Sequence, residues 1–202
     1  PQKRVYRKLL IMNKTILYFH GFKSSSNSKK AHNLKKFITN SSKNTSIIIP
    51  DLNDGFHKAD AQINNLIKSC ETDLVFMGSS LGGYYALYYA QLLSAKAVLI
   101  NPAIPPLIGF DKNLGENENY STGNKFTISE EDISFLKSLS HKKLLHPNKV
   151  MVLVESGDEI LAFDKTIAYF NGAHIDITFG GDHSYQSLPN KFIKIKKFLS
   201  LS

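Results

Sequence analysis

The chain has 202 residues, 42% hydrophobic and 21% charged, a composition that suits one globular domain able to bury a core without disulfide support. Its one cysteine, Cys70, excludes an internal disulfide and fits a reducing compartment such as the cytoplasm; no apolar run approaches the ~20 residues of a membrane-spanning helix, so membrane insertion is not expected. The net charge of +8 gathers at the ends (Lys3, Arg4, Arg7, Lys8 and Lys14; Lys191, Lys194, Lys196 and Lys197), which favours solvated faces over a nucleic-acid surface.

Residues 1–13 are basic and lack the apolar stretch and cleavage site of a signal peptide. They read as an extension outside the domain, either disordered or an artefact of the gene's start, with the domain itself expected over 14–202. Thr15 to His20 is a β-branched and aromatic run ending at Gly21, a buried strand. Ser28 to Thr39 follows with Ala31, Leu34, Phe37 and Ile38 at helical spacing behind a serine-rich loop that can cap it. Ser46–Ile49 before Pro50 is the second strand, and a helix with Ala59, Ile63, Leu66 and Ile67 on one face comes next. Asp73–Met77 is the third strand, running into Gly78, and Leu81–Leu93 is a helix rich in Tyr, Leu and Ala. Ala97–Ile100 is the fourth.

The rhythm then breaks. Residues 103–147 carry early Pro and Gly, a polar run from Gly115 to Lys125, and a helical piece around Ile133, Leu136 and Leu139. They read as a lid-like insertion. Val150–Val154 and His174–Phe179 supply two more strands, separated by a helix from Asp164 to Phe170. A closing helix places Phe192, Ile195 and Leu199 on one side. Strands of nearly continuous apolar character alternating with helices predict an α/β domain: a doubly wound, mainly parallel sheet of about six strands.

Gly78-Ser79-Ser80-Leu81-Gly82-Gly83 contains G-x-S-x-G centred on Ser80. Between a buried strand and a helix, this string forms the sharp turn that exposes a nucleophilic serine, and the glycines are needed because side chains two residues either side would collide. The serine would also sit at a helix N-terminus, whose dipole favours developing negative charge. In this architecture the acid and base follow in the order Ser, Asp/Glu, His, at the ends of later strands. Of seven histidines only His183, in Gly180-Gly-Asp-His-Ser184, follows the last strand; His20 ends the first strand and reads as a brace for its loop. The acid is expected after Val150–Val154, where Asp158 is the choice and Glu159 its neighbour one residue away. Asp182, adjacent to His183, is badly placed to reach Nδ1. The backbone amides of Leu81 and Phe22 are the expected oxyanion-hole donors. Tyr84, Tyr85, Tyr88 and Tyr89 read as helix packing. No cysteine pair, H-E-x-x-H, Walker or G-x-G-x-x-G string is present, so neither cofactor nor metal is expected.

Several motifs occur together and in one order: His20-Gly-Phe-x-Ser-Ser25, Ile49-Pro50, Gly78-Ser-Ser-Leu-Gly-Gly-Tyr-Tyr85, Asn101-Pro-Ala103, Leu114-Gly-x-Asn-Glu-Asn119 with Thr122-Gly123, Gly157-Asp-Glu159 and Gly180-x-x-His183. From about Lys14 to Leu199 the chain resembles the YqiA-like bacterial esterases, a small branch of the α/β-hydrolase superfamily. The resemblance implies an α/β-hydrolase fold, carboxylesterase or thioesterase activity on small acyl substrates, no cofactor, a cytoplasmic location, and Ser80, Asp158 and His183 as the catalytic residues. Tyr120-Ser121 departs from the Pro-Tyr pair expected there, and the residues before Met12 have no counterpart. The rival reading is a hydrolase-fold binding protein without catalysis, since fold alone does not guarantee activity.

Overall fold

The computed structural model describes residues 14–141 and 143–202; the expected N-terminal extension lies outside the described residues. Eight strands and six helices follow in chain order: β1 (Lys14–Phe19), α1 (Lys29–Ser41), β2 (Thr45–Ile48), α2 (Phe56–Ser69), β3 (Asp73–Ser80), α3 (Leu81–Leu92), β4 (Ala97–Pro102), β5 (Gly115–Glu118), β6 (Lys125–Ile128), α4 (Glu130–Ser138), β7 (Val150–Glu155), α5 (Phe163–Tyr169), β8 (His174–Thr178) and α6 (Phe192–Leu199). Six strands form one sheet in the order β2-β1-β3-β4-β7-β8, every neighbouring pair parallel. This is the α/β-hydrolase architecture, doubly wound as the strand-helix alternation predicts.

The continuous apolar runs exist because both sheet faces are covered. Ile16 and Tyr18 of β1, Val75 and Met77 of β3, and Val98 and Ile100 of β4 pack against Ala31, Leu34 and Ile38 of α1 and Phe192, Ile195 and Leu199 of α6. Residues one step along each strand, Leu17, Phe19, Phe76 and Leu99, face α2, α3 and α4. Each fully buried Leu, Ile or Phe contributes roughly 1.5–3 kcal/mol relative to exposure. Ser28 caps α1, its hydroxyl accepting from the Ala31 amide, as the serine-rich loop suggests.

α3 is buried nearly all round, so its tyrosines are structural. Tyr89 donates to Asp60 and Tyr84 to the Leu136 carbonyl (3.1 Å), tying α3 to α2 and α4. The segment between β4 and β7 contains something the sequence reading did not anticipate: β5 and β6 pair antiparallel as a two-stranded hairpin. β5 has no apolar residue, and β6 alternates over only four residues, with Phe126 and Ile128 turned inward, so the pair carries too short a periodic signal to read. Asparagines add to its hold. Asn117 Nδ2 donates to the carbonyls of Asn113 (2.7 Å) and Gly115 (2.9 Å), and buried Asn119 reaches Asp54 Oδ1 (2.7 Å) and the Ser24 carbonyl (3.2 Å). The hairpin is thereby fastened to the loop after β1. Among the described residues no helix is long and apolar enough to cross a membrane.

Two connections leave the carboxyl edge of adjacent strands toward opposite faces: α1 from β1 and α3 from β3. Such a divergence opens a crevice at the strand ends. Gly21, Phe22 and Ser80 lie there.

Candidate active site

Ser80 ends β3 and precedes α3 with φ 55° and ψ −124°, a conformation L-residues rarely adopt. Its neighbours impose it. A Cβ on Gly78 would stand 2.0 Å from the Gly82 carbonyl oxygen, and one on Gly82 would stand 2.1 Å from the Phe19 carbonyl oxygen. Strand, turn and helix therefore approach at backbone distance, and the G-x-S-x-G glycines are steric requirements. On the other side the Ala103 amide donates to the Ser80 carbonyl (3.1 Å) where the β3–β4 register shifts.

Three side chains distant in sequence meet here. Ser80 Oγ lies 3.1 Å from His183 Nε2, and His183 Nδ1 lies 2.8 and 3.0 Å from the two carboxylate oxygens of Asp158. With the Nδ1 hydrogen directed to Asp158, Nε2 is left as the acceptor for the serine hydroxyl. Asp158 also accepts from the amides of Ile160 (2.9 Å) and Leu161 (2.8 Å). Burial pushes its carboxyl up, but these hydrogen bonds together with the imidazole outweigh that and hold it below the usual carboxylate range. Glu159 turns elsewhere: its carboxylate accepts the backbone amide of His183 at 3.0 Å. Both acids touch His183, one through the ring and one through the main chain.

Gly21 packs directly on the serine; a Cβ there would lie 3.3 Å from Ser80 Cβ. The next residue, Phe22, lines the same cavity as Ser80 and as Leu81 at the start of α3. Neither the Phe22 nor the Leu81 amide donates to a protein acceptor among the described residues. His20 braces this loop, as expected: Nδ1–H donates to the Gly21 carbonyl (2.9 Å) while Nε2 accepts the Leu52 amide (3.0 Å), so both ring nitrogens are occupied. The remaining histidines stand apart from the serine. His57 stacks on Phe135 and His141 on Tyr88, His146 meets Ser94, and His174 starts β8.

Two supporting residues escaped the sequence reading. Asn101, 2% exposed, accepts the Glu155 amide on Oδ1 (2.9 Å) and donates through Nδ2 to the carbonyls of Asp182 (3.0 Å) and His183 (3.4 Å). Glu155, equally buried, accepts the Asp182 amide (2.9 Å) and the Ser187 hydroxyl. Together they fix the His183 loop to the ends of β4 and β7. The signal for Glu155 is a polar residue terminating an apolar strand; Asn101 has that and its place in the Asn101-Pro-Ala103 motif.

Ser80 and His183 open onto a cavity of about 1040 Å³. Phe22, Ile104, Leu107, Ile108, Phe110 and Leu161 form its apolar wall. The Phe22 ring sits among Phe56, Phe110 and Phe126 of α2 and the inserted segment, at centroid distances of 6.1, 5.3 and 6.0 Å. The insertion thus walls the cavity. Among the described residues no group of His, Cys, Asp and Glu has the arrangement of a metal site.

The family model described as an uncharacterised protein family, UPF0227, matches residues 15–200. Among solved structures the chain resembles Est1E from Butyrivibrio proteoclasticus with ferulic acid bound, with a TM-score of 0.69 and 14% identity over 96% of this chain and 91% of that one. It resembles alpha/beta hydrolase domain-containing protein 10 from mouse with a TM-score of 0.71 and 18% identity, covering 92% and 89% of the two chains. The esterase domain of a Rhodothermus marinus protein gives a TM-score of 0.63 and 19% identity, covering 89% and 82%. At these identities the likeness is one of fold.

Proposed function

This chain belongs to the UPF0227 family, the YqiA-like branch of the α/β-hydrolases, and we propose that it is a serine hydrolase that cleaves small acyl esters or acyl thioesters through an acyl-enzyme. One observation carries the reading: Ser80 Oγ, His183 Nε2, His183 Nδ1 and Asp158 form an unbroken hydrogen-bonded line on a strained strand-to-helix turn.

The chemistry follows from the geometry. His183 Nε2 takes the Ser80 proton as Oγ attacks the carbonyl carbon, and Asp158 stabilises the imidazolium that forms. The amides of Phe22 and Leu81 receive the oxyanion of the tetrahedral intermediate; one such donor is worth about 3–4 kcal/mol in the transition state. Collapse expels the alcohol or thiol, which leaves with the proton from Nε2. Water, deprotonated by the same nitrogen, then attacks the acyl-enzyme and releases the acid and free Ser80. The acyl chain occupies the apolar wall under the 103–147 segment, which acts as the lid.

The test is hydrolysis of p-nitrophenyl butyrate and short acyl thioesters, with active-site labelling by a fluorophosphonate. Wild type is expected to turn over ester and to label. Ser80→Ala is expected to do neither, and His183→Ala to label poorly. Equal inactivity of folded wild type and folded Ser80→Ala across a broad ester panel, with no labelling, refutes the proposal.

A further inference from the structure

The cavity has a second end that the acyl-transfer steps leave unused. It lies on the α1 face of the sheet, where Lys30, Asn33, Tyr18 and Ser79 line the same space as Ser80. Lys30 Nζ donates to Ser79 Oγ at 2.6 Å. An ammonium has three hydrogens, and among the described residues no carboxylate stands within ion-pair distance of this one. Ser79, 2% exposed, accepts from Lys30, which leaves its own hydroxyl hydrogen free to donate. Tyr18 is fully buried, and its hydroxyl stands close to that of Ser79, outside full hydrogen-bond geometry.

The charge around the cavity points the same way. Five lysines line it, Lys23, Lys29, Lys30, Lys112 and Lys165, and no aspartate or glutamate does. Three carboxylates, those of Asp158, Asp182 and Glu155, act on Lys30 from a distance. Each already accepts hydrogen bonds of its own: Asp158 from His183, Asp182 from Gln186, Glu155 from the Asp182 amide. Burial pulls the Lys30 ammonium down to about 8, with those three carboxylates pulling it part of the way back. A half-desolvated cation with unused donors is stabilised by an anion placed in contact with it.

We propose that this end of the cavity is a subsite for an oxyanion carried by the substrate, a carboxylate or a phosphate, with Lys30 as its charge partner and the neighbouring Ser79 and Tyr18 hydroxyls together supplying a further donor. The proposal rests on the esterase reading and narrows it: the preferred substrate is an ester with an apolar acyl group at one end and an anionic group at the other. Lys30 acts as a specificity residue.

The experiment compares esters that differ only in charge: 4-nitro-3-(butanoyloxy)benzoate, its neutral methyl ester, and an analogue bearing a phosphate monoester in place of the carboxylate. The readout is the ratio of kcat/KM for each anionic ester to the neutral one, which cancels any general loss of catalytic power. Wild type is expected to favour at least one anion by about tenfold or more, equivalent to about 1.4 kcal/mol; which arm is favoured identifies the oxyanion. Lys30→Met is expected to lose that preference chiefly through KM, Lys30→Arg to keep part of it, and Tyr18→Phe to lower it severalfold. A wild-type ratio at or below one for both anions, or a ratio unchanged in Lys30→Met, overturns the proposal. If Lys30→Met does not fold, Lys30→Gln and Tyr18→Phe carry the same comparison. If wild type turns over no ester, the esterase reading fails. Calorimetric titration with 3-hydroxy-4-nitrobenzoate and its methyl ester then decides the subsite: anion-selective binding that Lys30→Met removes supports it, and equal or absent binding of the two overturns it.

Discussion

Replacing Asn101 by Ala should both destabilise the protein and disable the histidine. The side chain is buried and bridges three backbone groups: the amide of Glu155 and the carbonyls of Asp182 and His183. Alanine leaves the buried Glu155 N–H without an acceptor, at a cost of about 1–3 kcal/mol, and removes a donor from two carbonyls, which adds on the order of 1 kcal/mol. A total near 3 kcal/mol in a chain of this length lowers Tm by roughly 6–12 °C. Asn101 also has a φ of 39°, which asparagine tolerates better than alanine, so Asn101→Gly serves as the control that removes the hydrogen bonds without the backbone conflict. The Asp182–His183 main chain loses its tether to β4, and a shift of about 1 Å at Nε2 costs up to roughly a hundredfold in rate. Thermal melts followed by circular dichroism and kcat for p-nitrophenyl butyrate measure both effects. If both variants melt within about 2 °C of wild type, Asn101 does not hold the loop.

Two further outcomes follow from the geometry. Asn119→Ala cuts the insertion from Ser24 and Asp54 and releases the Ser121 and Thr122 amides that its Oδ1 accepts at 2.9 and 3.2 Å; kcat/KM for the butyrate ester should fall about tenfold, mostly in KM, and an unchanged KM would mean that the 103–147 segment does not shape the acyl site. Asp158 has a carboxyl held below its ordinary value in the folded state, so the stability it contributes is full above that ordinary value, near about 4, and is lost as pH falls through the lower folded value. Urea midpoints measured between about pH 6 and pH 2.5 should therefore drop more steeply for wild type than for Asp158→Asn, and parallel acid limbs would contradict the assigned contacts.

The sheet and the turn that bears Ser80 were legible because their physics is local. A parallel strand covered on both faces must be apolar throughout, and each such run here is punctuated by Gly or Pro. The turn at Ser80 announces itself because Gly78 and Gly82 leave no room for a Cβ. His183 stands out in the sequence by its place after the last strand, and its ring lies between Ser80 and Asp158. Which of Asp158 and Glu159 turns toward the His183 ring depends on how one turn folds, and the Ile160 and Leu161 amides draw the Asp158 carboxylate inward. What stayed hidden is non-local. The β5–β6 hairpin is fastened by asparagine side chains and by only two inward apolar residues, Phe126 and Ile128. Lys30 stands in a basic helix start, Lys29-Lys30, where a solvated side chain is the ordinary expectation; its head group is half-buried because Ser79, 49 residues onward, arrives beneath it. Asn101 and Glu155 do their work across 81 and 27 residues of chain.

The turn that bears Ser80 makes a further claim that can be weighed directly. Its φ of 55° with ψ of −124° is strained for any residue with a Cβ, at a cost of about 1–3 kcal/mol, and it persists because the surroundings leave no alternative. Ser80→Ala and Ser80→Gly both delete the hydroxyl and its contact with His183, so they differ only in backbone freedom and one methyl group. At an ordinary position alanine is the more stabilising of the two by about 0.4–1 kcal/mol, because glycine has more unfolded-state entropy to lose. Here the sign should reverse. Glycine relieves the strain, and after its entropic cost Ser80→Gly should exceed Ser80→Ala in stability by about 1 kcal/mol, a Tm difference of roughly 2–4 °C. A higher Tm for Ser80→Ala would show that the turn is relaxed, and the packing of Gly78, Gly82 and Ala103 around it would then no longer explain why Ser80 stands where it does.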